Sequence, residues 1–153
     1  PYISGGAIGH TFVFDGPLPS GQLKESDADA HLTGPLSSYF GASVEVIGDL
    51  DDDGTDDLIV GSPGERTATG YDGALYFFYG PQSGDVAHTS AGHRVAGVAN
   101  ENLGQALDNA GDINGDGMDD LFARSGVAAN GMVYLFYAPI GAPPNSSVAP
   151  ARF

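Results

Sequence analysis

Residues 49–57 read Asp-Leu-Asp-Asp-Asp-Gly-Thr-Asp-Asp, and residues 112–120 read Asp-Ile-Asn-Gly-Asp-Gly-Met-Asp-Asp. Both segments follow the pattern D-x-[DN]-x-D-G-x-x-D, so oxygen-bearing side chains fall at positions 1, 3, 5 and 9. Glycine at position 6 permits the sharp turn that a chain makes when it wraps around an ion. Ca²⁺ takes about six to eight oxygen ligands, which alternate residues of a tight loop can supply. The pattern therefore predicts two calcium loops.

The predicted ligands are the side chains at positions 1, 3, 5 and 9 and the backbone carbonyl at position 7 of each loop. In the first loop these are Asp49, Asp51, Asp53, Asp57 and the carbonyl of Thr55. In the second loop they are Asp112, Asn114, Asp116, Asp120 and the carbonyl of Met118.

An EF-hand loop begins in the same way but ends with a bidentate glutamate at position 12, between two helices. Position 12 is Val60 in the first segment and Ala123 in the second. Residues 42–48 alternate with a period of two, and residues 58–60 form a short apolar run, both of which favour strands. Each loop is therefore predicted to join two strands. A solvated acidic turn without metal is the alternative, which the repetition in one register disfavours.

The chain of 153 residues has a net charge of −15 at pH 7. Of its 20 acidic residues, six lie in the first loop and four in the second. Five Lys and Arg residues cannot build the basic patch that nucleic acids or anionic membrane surfaces require, so neither is a predicted partner. Carboxylates at this density repel one another without a cation. The fold is therefore expected to depend on calcium.

The composition is typical of many short strands, because 24 Gly and 10 Pro residues accompany 41% hydrophobic residues. There is no cysteine and no apolar run near the roughly 20 residues of a membrane span, so neither a disulfide framework nor membrane insertion is predicted. Extracellular calcium modules typically bind at about 10⁻⁴–10⁻³ M. We therefore expect a secreted or cell-surface protein.

The two loops begin 63 residues apart (112 − 49), and the sequences around them repeat at the same spacing. Segment 39–49 aligns with 102–112, and the aromatic segment 73–81 matches both 131–139 and 9–17. Each repeat reads as four short antiparallel strands. The predicted strands are 42–48, 57–61, 74–80 and one ending at 96–97, then 105–111, 120–124 and 132–138, preceded by 9–15 and one ending at 33–34.

These residues resemble FG-GAP repeats, the blade unit of integrin α-subunit-like propellers and of many secreted bacterial proteins. Phe40-Gly41 matches the Phe-Gly of the repeat, 49–57 its calcium loop, and Gly61-Ser62-Pro63 its Gly-Ala-Pro. The second copy is degraded, with Leu103-Gly104 for Phe-Gly and Arg124-Ser125-Gly126 for Gly-Ala-Pro. The resemblance covers residues 9–139. It implies an all-β fold of consecutive four-stranded antiparallel propeller blades, with structural calcium loops between strands 1 and 2.

The repeat divides the chain into about two and a half blades, whereas propellers have about four to eight. Residues 1–34 are predicted to be a partial blade with strands 3 and 4, and 35–97 a complete blade. Residues 98–139 form a second blade that lacks a clear fourth strand, and 140–153 form a Pro/Ala-rich extended tail with a glycosylation sequon at Asn145. Either the chain continues a longer propeller, or copies associate into a ring or filament.

No catalytic residue is predicted. Ser62 is not followed by the helix that a nucleophile elbow requires. The four histidines show no paired spacing, so they are interpreted as exposed strand or loop residues: His10, His31, His88 and His93. The aromatic residues 76–79 are predicted to pack between blades. The predicted function is a calcium-stabilised extracellular structural or adhesion protein. The alternative is a carbohydrate- or ligand-binding propeller module with a protein or glycan ligand, or an accessory domain of a secreted hydrolase.

Overall fold

The computed structural model describes residues 7–18, 20–68, 70–98, 100–126, 131–140 and 151–152. Within these ranges the chain is built from strands, with two short 3-10 helices at Glu25–Asp27 and His88–Ser90. The all-β, mostly antiparallel fold predicted from the sequence is confirmed. The described strands form separate sheets. No helix in the described ranges is long and apolar enough to cross a membrane.

The first sheet comes from the beginning of the chain and gains a strand from further along. Strands β1 (Ile8–Val13) and β2 (Ala30–Leu36) pair antiparallel, as the sequence predicts. A short hairpin, β5 (Arg66–Thr67) and β6 (Gly70–Tyr71), stands apart from this sheet.

The second sheet has four strands in the order β3-β4-β7-β9, all antiparallel. Its strands are β3 (Ser43–Ile47), β4 (Asp57–Ser62), β7 (Ala74–Phe78) and β9 (His93–Ala96). Every residue of β4 and β7 is buried, because both faces of these central strands are covered. That explains why both strands read as nearly continuous apolar runs.

The third sheet repeats this order with β10 (Ala106–Gly111), β11 (Asp120–Ser125), β12 (Met132–Phe136) and β13 (Ala151–Arg152). The sequence indicates no clear fourth strand here, yet Ala151–Arg152 pairs with β12. A two-residue strand is too short to produce an alternating pattern, so it cannot be recognised without its partner. The rest of the predicted tail, 141–150 and 153, with Asn145, lies outside the described residues.

The sequence also gives no indication of β8 (Gly84–Ala87), which lies between β7 and β9 along the chain. It leaves the second sheet and pairs in parallel with β2 of the first sheet, with His31 opposite Asp85. The connection between strands 3 and 4 of one sheet therefore completes the edge of the sheet before it.

Two apolar clusters fill the spaces beside the second sheet. One includes residues of β4 and β7 together with β11 and β12 of the third sheet, and the other joins β4 and β7 to β2 of the first sheet. Along β7, Leu75 and Phe77 belong to the first cluster, and Tyr76 and Phe78 to the second. The predicted packing of these aromatic residues between sheets is therefore confirmed, and the structure shows in addition that both faces of β7 are packed.

A Phe-Gly or Leu-Gly pair lies at each junction between stacked sheets. Leu103 is 2% exposed within one apolar cluster, and Gly104 has a φ of +95°. A Cβ added to Gly104 would lie 2.9 Å from the Gly61 Cα of the second sheet. Ser43 Oγ donates to the Gly104 carbonyl at 2.8 Å. Gly41 has a φ of +85° and approaches the carbonyl of His10 in the same way. The glycine thus lets successive sheets approach closely.

We predict that Gly104→Ala destabilises the protein by roughly 2–4 kcal/mol, because the added Cβ would be strained at this φ and would clash with backbone atoms. Gly48→Ala is the matched control, since its Cβ would have only Asp119 Oδ2 within reach, at 3.8 Å. The control should change stability by less than about 1 kcal/mol. Urea unfolding followed by circular dichroism measures both, and equal midpoints would show that the junction tolerates a methyl group.

Candidate metal centres

The two acidic loops occupy equivalent corners of successive sheets. The first joins β3 to β4 and the second joins β10 to β11, so each lies between strands 1 and 2 of its sheet, as predicted. Residues 51–56 and 112–117 are exposed, and the loops differ in this respect from the buried strands that follow them. The tight turn in each loop contains a glycine with positive φ, +90° at Gly54 and +95° at Gly117.

The carboxylate at position 1 organises the turn of each loop. Asp49 accepts hydrogen bonds from the amides of Asp53 at 3.0 Å and Gly54 at 2.6 Å. Desolvation raises the pKa of Asp49, but the amides of Gly54 and its neighbours outweigh it and leave the pKa below its ordinary value. The side chain is therefore held ionised.

The second loop repeats this arrangement. Asp112 accepts hydrogen bonds from the amides of Gly115 at 2.6 Å, Asp116 at 3.1 Å and Gly117 at 2.8 Å. The hydrogen bond from the Gly117 amide is the main cause that lowers the pKa of Asp112. Asn114 Nδ2 donates to Asp116 Oδ2 at 2.8 Å, and Asn114 Oδ1 accepts from the Asp116 amide at 2.8 Å, so both ends of the carboxamide at position 3 bind the residue at position 5.

The carboxylate at position 9 is the buried member of each loop. Asp57 is 1% exposed and accepts from the amides of Leu50 and Gly80, both at 2.8 Å. Asp120 is fully buried and accepts from the amides of Ile113 at 2.9 Å and Ala138 at 3.0 Å. Each of these aspartates therefore ties the start of its loop to the residues that follow the third strand.

Three of the predicted ligands of the first loop converge. Oxygen atoms of Asp49, Asp51 and Asp57 all lie within 4.8 Å of one another. Desolvation, followed by repulsion from Asp53, raises the pKa of Asp51, and desolvation likewise raises that of Asp57. A divalent cation among these oxygens would remove the repulsion, so the donor set fits calcium.

The other predicted ligands lie in the same turns but take part in different contacts. The Thr55 amide donates to Asp53 Oδ1 at 2.9 Å, and the Met118 amide donates to Asp116 Oδ1 at the same distance. These bonds fix the position-5 carboxylates beside the turn. For the carbonyl oxygens of Thr55 and Met118, ligation remains a prediction from the sequence pattern.

Sequence reasoning did not identify the residues after the third strand as part of each site. Gly80 and Ala138 contribute amide donors, and a Cβ added to Gly80 would lie 3.2 Å from Asp53 Oδ2. Tyr79 Oη donates to the Ile140 carbonyl at 2.6 Å, and burial followed by repulsion from Asp57 raises the pKa of Tyr79 to about 12. In the sequence these positions are marked only by the Gly80-Pro81 and Ala138-Pro139 pairs, which follow the two aromatic strands.

Comparisons with known proteins agree with this architecture. The FG-GAP repeat family matches residues 40–78. The chain is 34% identical over 102 residues to integrin alpha-6 of Gallus gallus, a match that covers 67% of the chain and 9% of that protein. It is 32% identical over 125 residues to human integrin alpha-D, covering 78% of the chain and 10% of that protein.

A third relative is the phosphatidylinositol-glycan-specific phospholipase D of Rattus norvegicus. The identity is 35% over 144 residues, which is 86% of the chain and 17% of that protein. The chain therefore spans between about a tenth and a sixth of the length of these relatives.

Stacked antiparallel sheets with a repeated acidic loop at the same corner define a repeat protein of the β-propeller class. The match to the FG-GAP repeat model and the integrin alpha relatives identify the family within this class. The chain belongs to the FG-GAP repeat family.

We predict that Asp120→Asn lowers the free energy of unfolding by about 1–3 kcal/mol even in a calcium chelator. The reason is that a carboxamide has one oxygen for two buried amide donors, so one of them is left facing an NH₂ group. Asp119→Asn is the control, because the new amide oxygen can still accept from Asn109. Chemical denaturation of both variants gives the comparison, and indistinguishable stabilities would contradict this role of Asp120.

Proposed function

We propose that these residues are calcium-stapled FG-GAP blades of an extracellular, adhesion-type propeller, and that their role is structural and adhesive rather than catalytic. The observation that carries the proposal is the convergence of Asp49, Asp51 and Asp57 within 4.8 Å, in a hydrogen-bond frame that recurs around Asp112 and Asp120. Bound calcium would place positive charge among the carboxylates of each loop and so remove their mutual repulsion.

The proposed ligands are the residues at positions 1, 3, 5, 7 and 9 of each loop, with position 7 acting through its carbonyl. The first set is Asp49, Asp51, Asp53, Thr55 and Asp57, and the second is Asp112, Asn114, Asp116, Met118 and Asp120. Backbone amides of the turn hold the carboxylate at position 1. The carboxylate at position 9 is held by one amide from the start of the loop and one from beyond the third strand. Bound calcium would then stabilise the turn that joins strands 1 and 2 in the second and third sheets.

The adhesive role is supported by the integrin alpha relatives, which match over 67–78% of the chain. The phospholipase D relative is an enzyme by its name, and its match covers 86% of the chain and 17% of that protein. The likeness therefore supports a propeller module that several kinds of protein use, and it assigns no reaction to these residues. We propose the blade boundaries 1–34, 35–97 and 98–139 on the basis of the repeat, with Ala151–Arg152 added to the last blade as its fourth strand.

Self-association or continuation into further blades is proposed because apolar residues remain exposed on the second sheet. Val44 and Val46 of β3 are 42% and 62% exposed. Exposed apolar residues grouped on one strand are typical of a surface that another protein element covers. Further blades of the same polypeptide, or those of another copy, would cover it.

Two calcium ions are expected to bind, the first loop more tightly, because it offers four carboxylates and the second only three. Asp51→Asn gives the first loop the same side-chain ligands as the second, Asp-Asn-Asp-Asp, so its affinity should fall to about that of the second loop. Asp52→Asn should leave both affinities unchanged, since Asp52 is not a proposed ligand and its φ of 65° suits asparagine. Isothermal titration calorimetry measures each. Equal sites in the unchanged protein, or a large effect of Asp52→Asn, would contradict the assignment.

Mass in solution tests the proposed assembly separately from the metal sites. Light scattering with millimolar calcium should show self-associated protein, and chelation should reduce its mass as the loops lose their cation. A monomer under both conditions would exclude self-association and favour a longer propeller, while the calorimetric titration would still decide the calcium sites.

A further inference from the structure

A cluster of aromatic and titratable residues lies on the first sheet, away from both acidic loops. In the register of β1 and β2, Phe12 is opposite His31 and His10 is opposite Thr33. His10 and Phe12 are two residues apart and therefore share a face of β1. His10 and His31 are consequently diagonal neighbours across the two strands, a separation that long or aromatic side chains can bridge.

The two imidazoles point ring nitrogens at each other. His10 Nδ1 lies 2.8 Å from His31 Nε2, and the ring centroids are 5.0 Å apart. On the other side of the His31 ring, Nδ1 lies 3.2 Å from Asp85 Oδ1. Asp85 belongs to β8, the strand that the second sheet contributes to the edge of the first. The cluster therefore joins three strands of different origin along the chain.

The carboxylate of Asp85 determines which nitrogen of His31 carries the proton. A carboxylate only accepts hydrogen bonds, so His31 Nδ1 must be the protonated nitrogen that donates to it. In neutral His31 the lone pair is then on Nε2, directed at His10. A carboxylate that fixes the tautomer and orientation of an imidazole is the arrangement found behind metal-ligating histidines.

Stacking restrains the His31 ring further. Its centroid is 4.7 Å from that of Phe12, with an angle of 7° between the ring planes. The His31 side chain is 32% exposed, so the ring is partly covered, and His10 and His31 both line a groove of about 500 Å³. Residues lining this groove include Glu25, Ser26 and Asp85. An ion and its water ligands can reach the two nitrogens from solvent.

We propose that His10 Nδ1 and His31 Nε2 bind a late first-row divalent cation such as Cu²⁺ or Zn²⁺, with Asp85 as the residue that positions His31. Imidazole nitrogen suits these metals, whereas calcium selects oxygen ligands, so the site differs in chemistry from the acidic loops. Metal–nitrogen distances of about 2.0–2.1 Å place two neighbouring ligand atoms roughly 3 Å apart. The two nitrogens now face each other at 2.8 Å, so the ion takes the place of the shared proton on the lone-pair axis of His31 Nε2. The exposed His10 ring must turn to direct its own lone pair at the ion, while Phe12 and Asp85 hold the His31 ring.

Binding requires one change of protonation. In the metal-free cluster His10 Nδ1–H donates to His31 Nε2; in the complex His10 carries its proton on Nε2, and both facing nitrogens give lone pairs to the ion. Water molecules fill the remaining coordination positions. Because the ion bridges β1 and β2, and Asp85 links His31 to β8, occupancy should stabilise the junction between the first and second sheets.

The test is a titration with Zn²⁺ by calorimetry and with Cu²⁺ by electron paramagnetic resonance, both in millimolar calcium so that the acidic loops are occupied by their own cation. Nitrogen hyperfine structure from two imidazoles is expected for Cu²⁺. His10→Ala and His31→Ala should each weaken binding by at least about tenfold, and Asp85→Asn by about tenfold. His88→Ala is the control, since His88 lies beside Tyr76 and not in the cluster.

Several results would overturn the proposal. These are a Cu²⁺ spectrum with oxygen ligands only, Zn²⁺ affinity that survives in the His10→Ala/His31→Ala double variant, or a loss caused equally by His88→Ala. Circular dichroism and the urea midpoint of each variant separate a loss of ligand from a loss of fold. His10 and Asp85 are exposed, so their variants should retain the stability of the unchanged protein.

Discussion

The buried aspartate at position 9 of each acidic loop is the constraint on which the sheets depend. Asp57 joins the amide of Leu50, at the start of its loop, to the amide of Gly80, beyond the third strand of the same sheet. Asp120 makes the corresponding pair of bonds in the third sheet. A buried carboxylate without partners would be costly, so these amides and the loop around them must form together. The same side chain therefore fixes the corner of the sheet and one side of the proposed calcium site.

Charge and packing act against each other at this corner. Ten acidic residues in two short loops repel one another, while the strands behind them are among the most apolar in the chain. Amides of the turns offset part of that repulsion at Asp49 and Asp112, but Asp51 remains unfavourably placed beside Asp53. A cation is the most direct way to remove the remaining repulsion, which is why metal and fold are expected to be coupled.

The junctions between sheets use backbone more than side chains. Gly104 comes close to Gly61 of the preceding sheet, and Gly41 makes the equivalent approach to β1. Parallel pairing of β8 with β2 adds a second connection at the first junction, where the His10, His31 and Asp85 cluster lies. Neighbouring sheets are thus linked by apolar packing, close backbone contact and, at one junction, a polar network.

The sequence by itself determined the all-β fold, the strands on either side of each loop, and the packing of the aromatic strand β7 between sheets, because these follow from local periodicity and from the repeat. It also supplied the ligand pattern of the loops, since alternate positions of one turn suffice to define it. Only the tertiary structure decided the partners of Asp57 and Asp120 beyond the loop, the placement of β8, and the pairing of His10 with His31. Those contacts join residues 18–54 positions apart. They depend on strand register and sheet stacking, which local sequence does not encode.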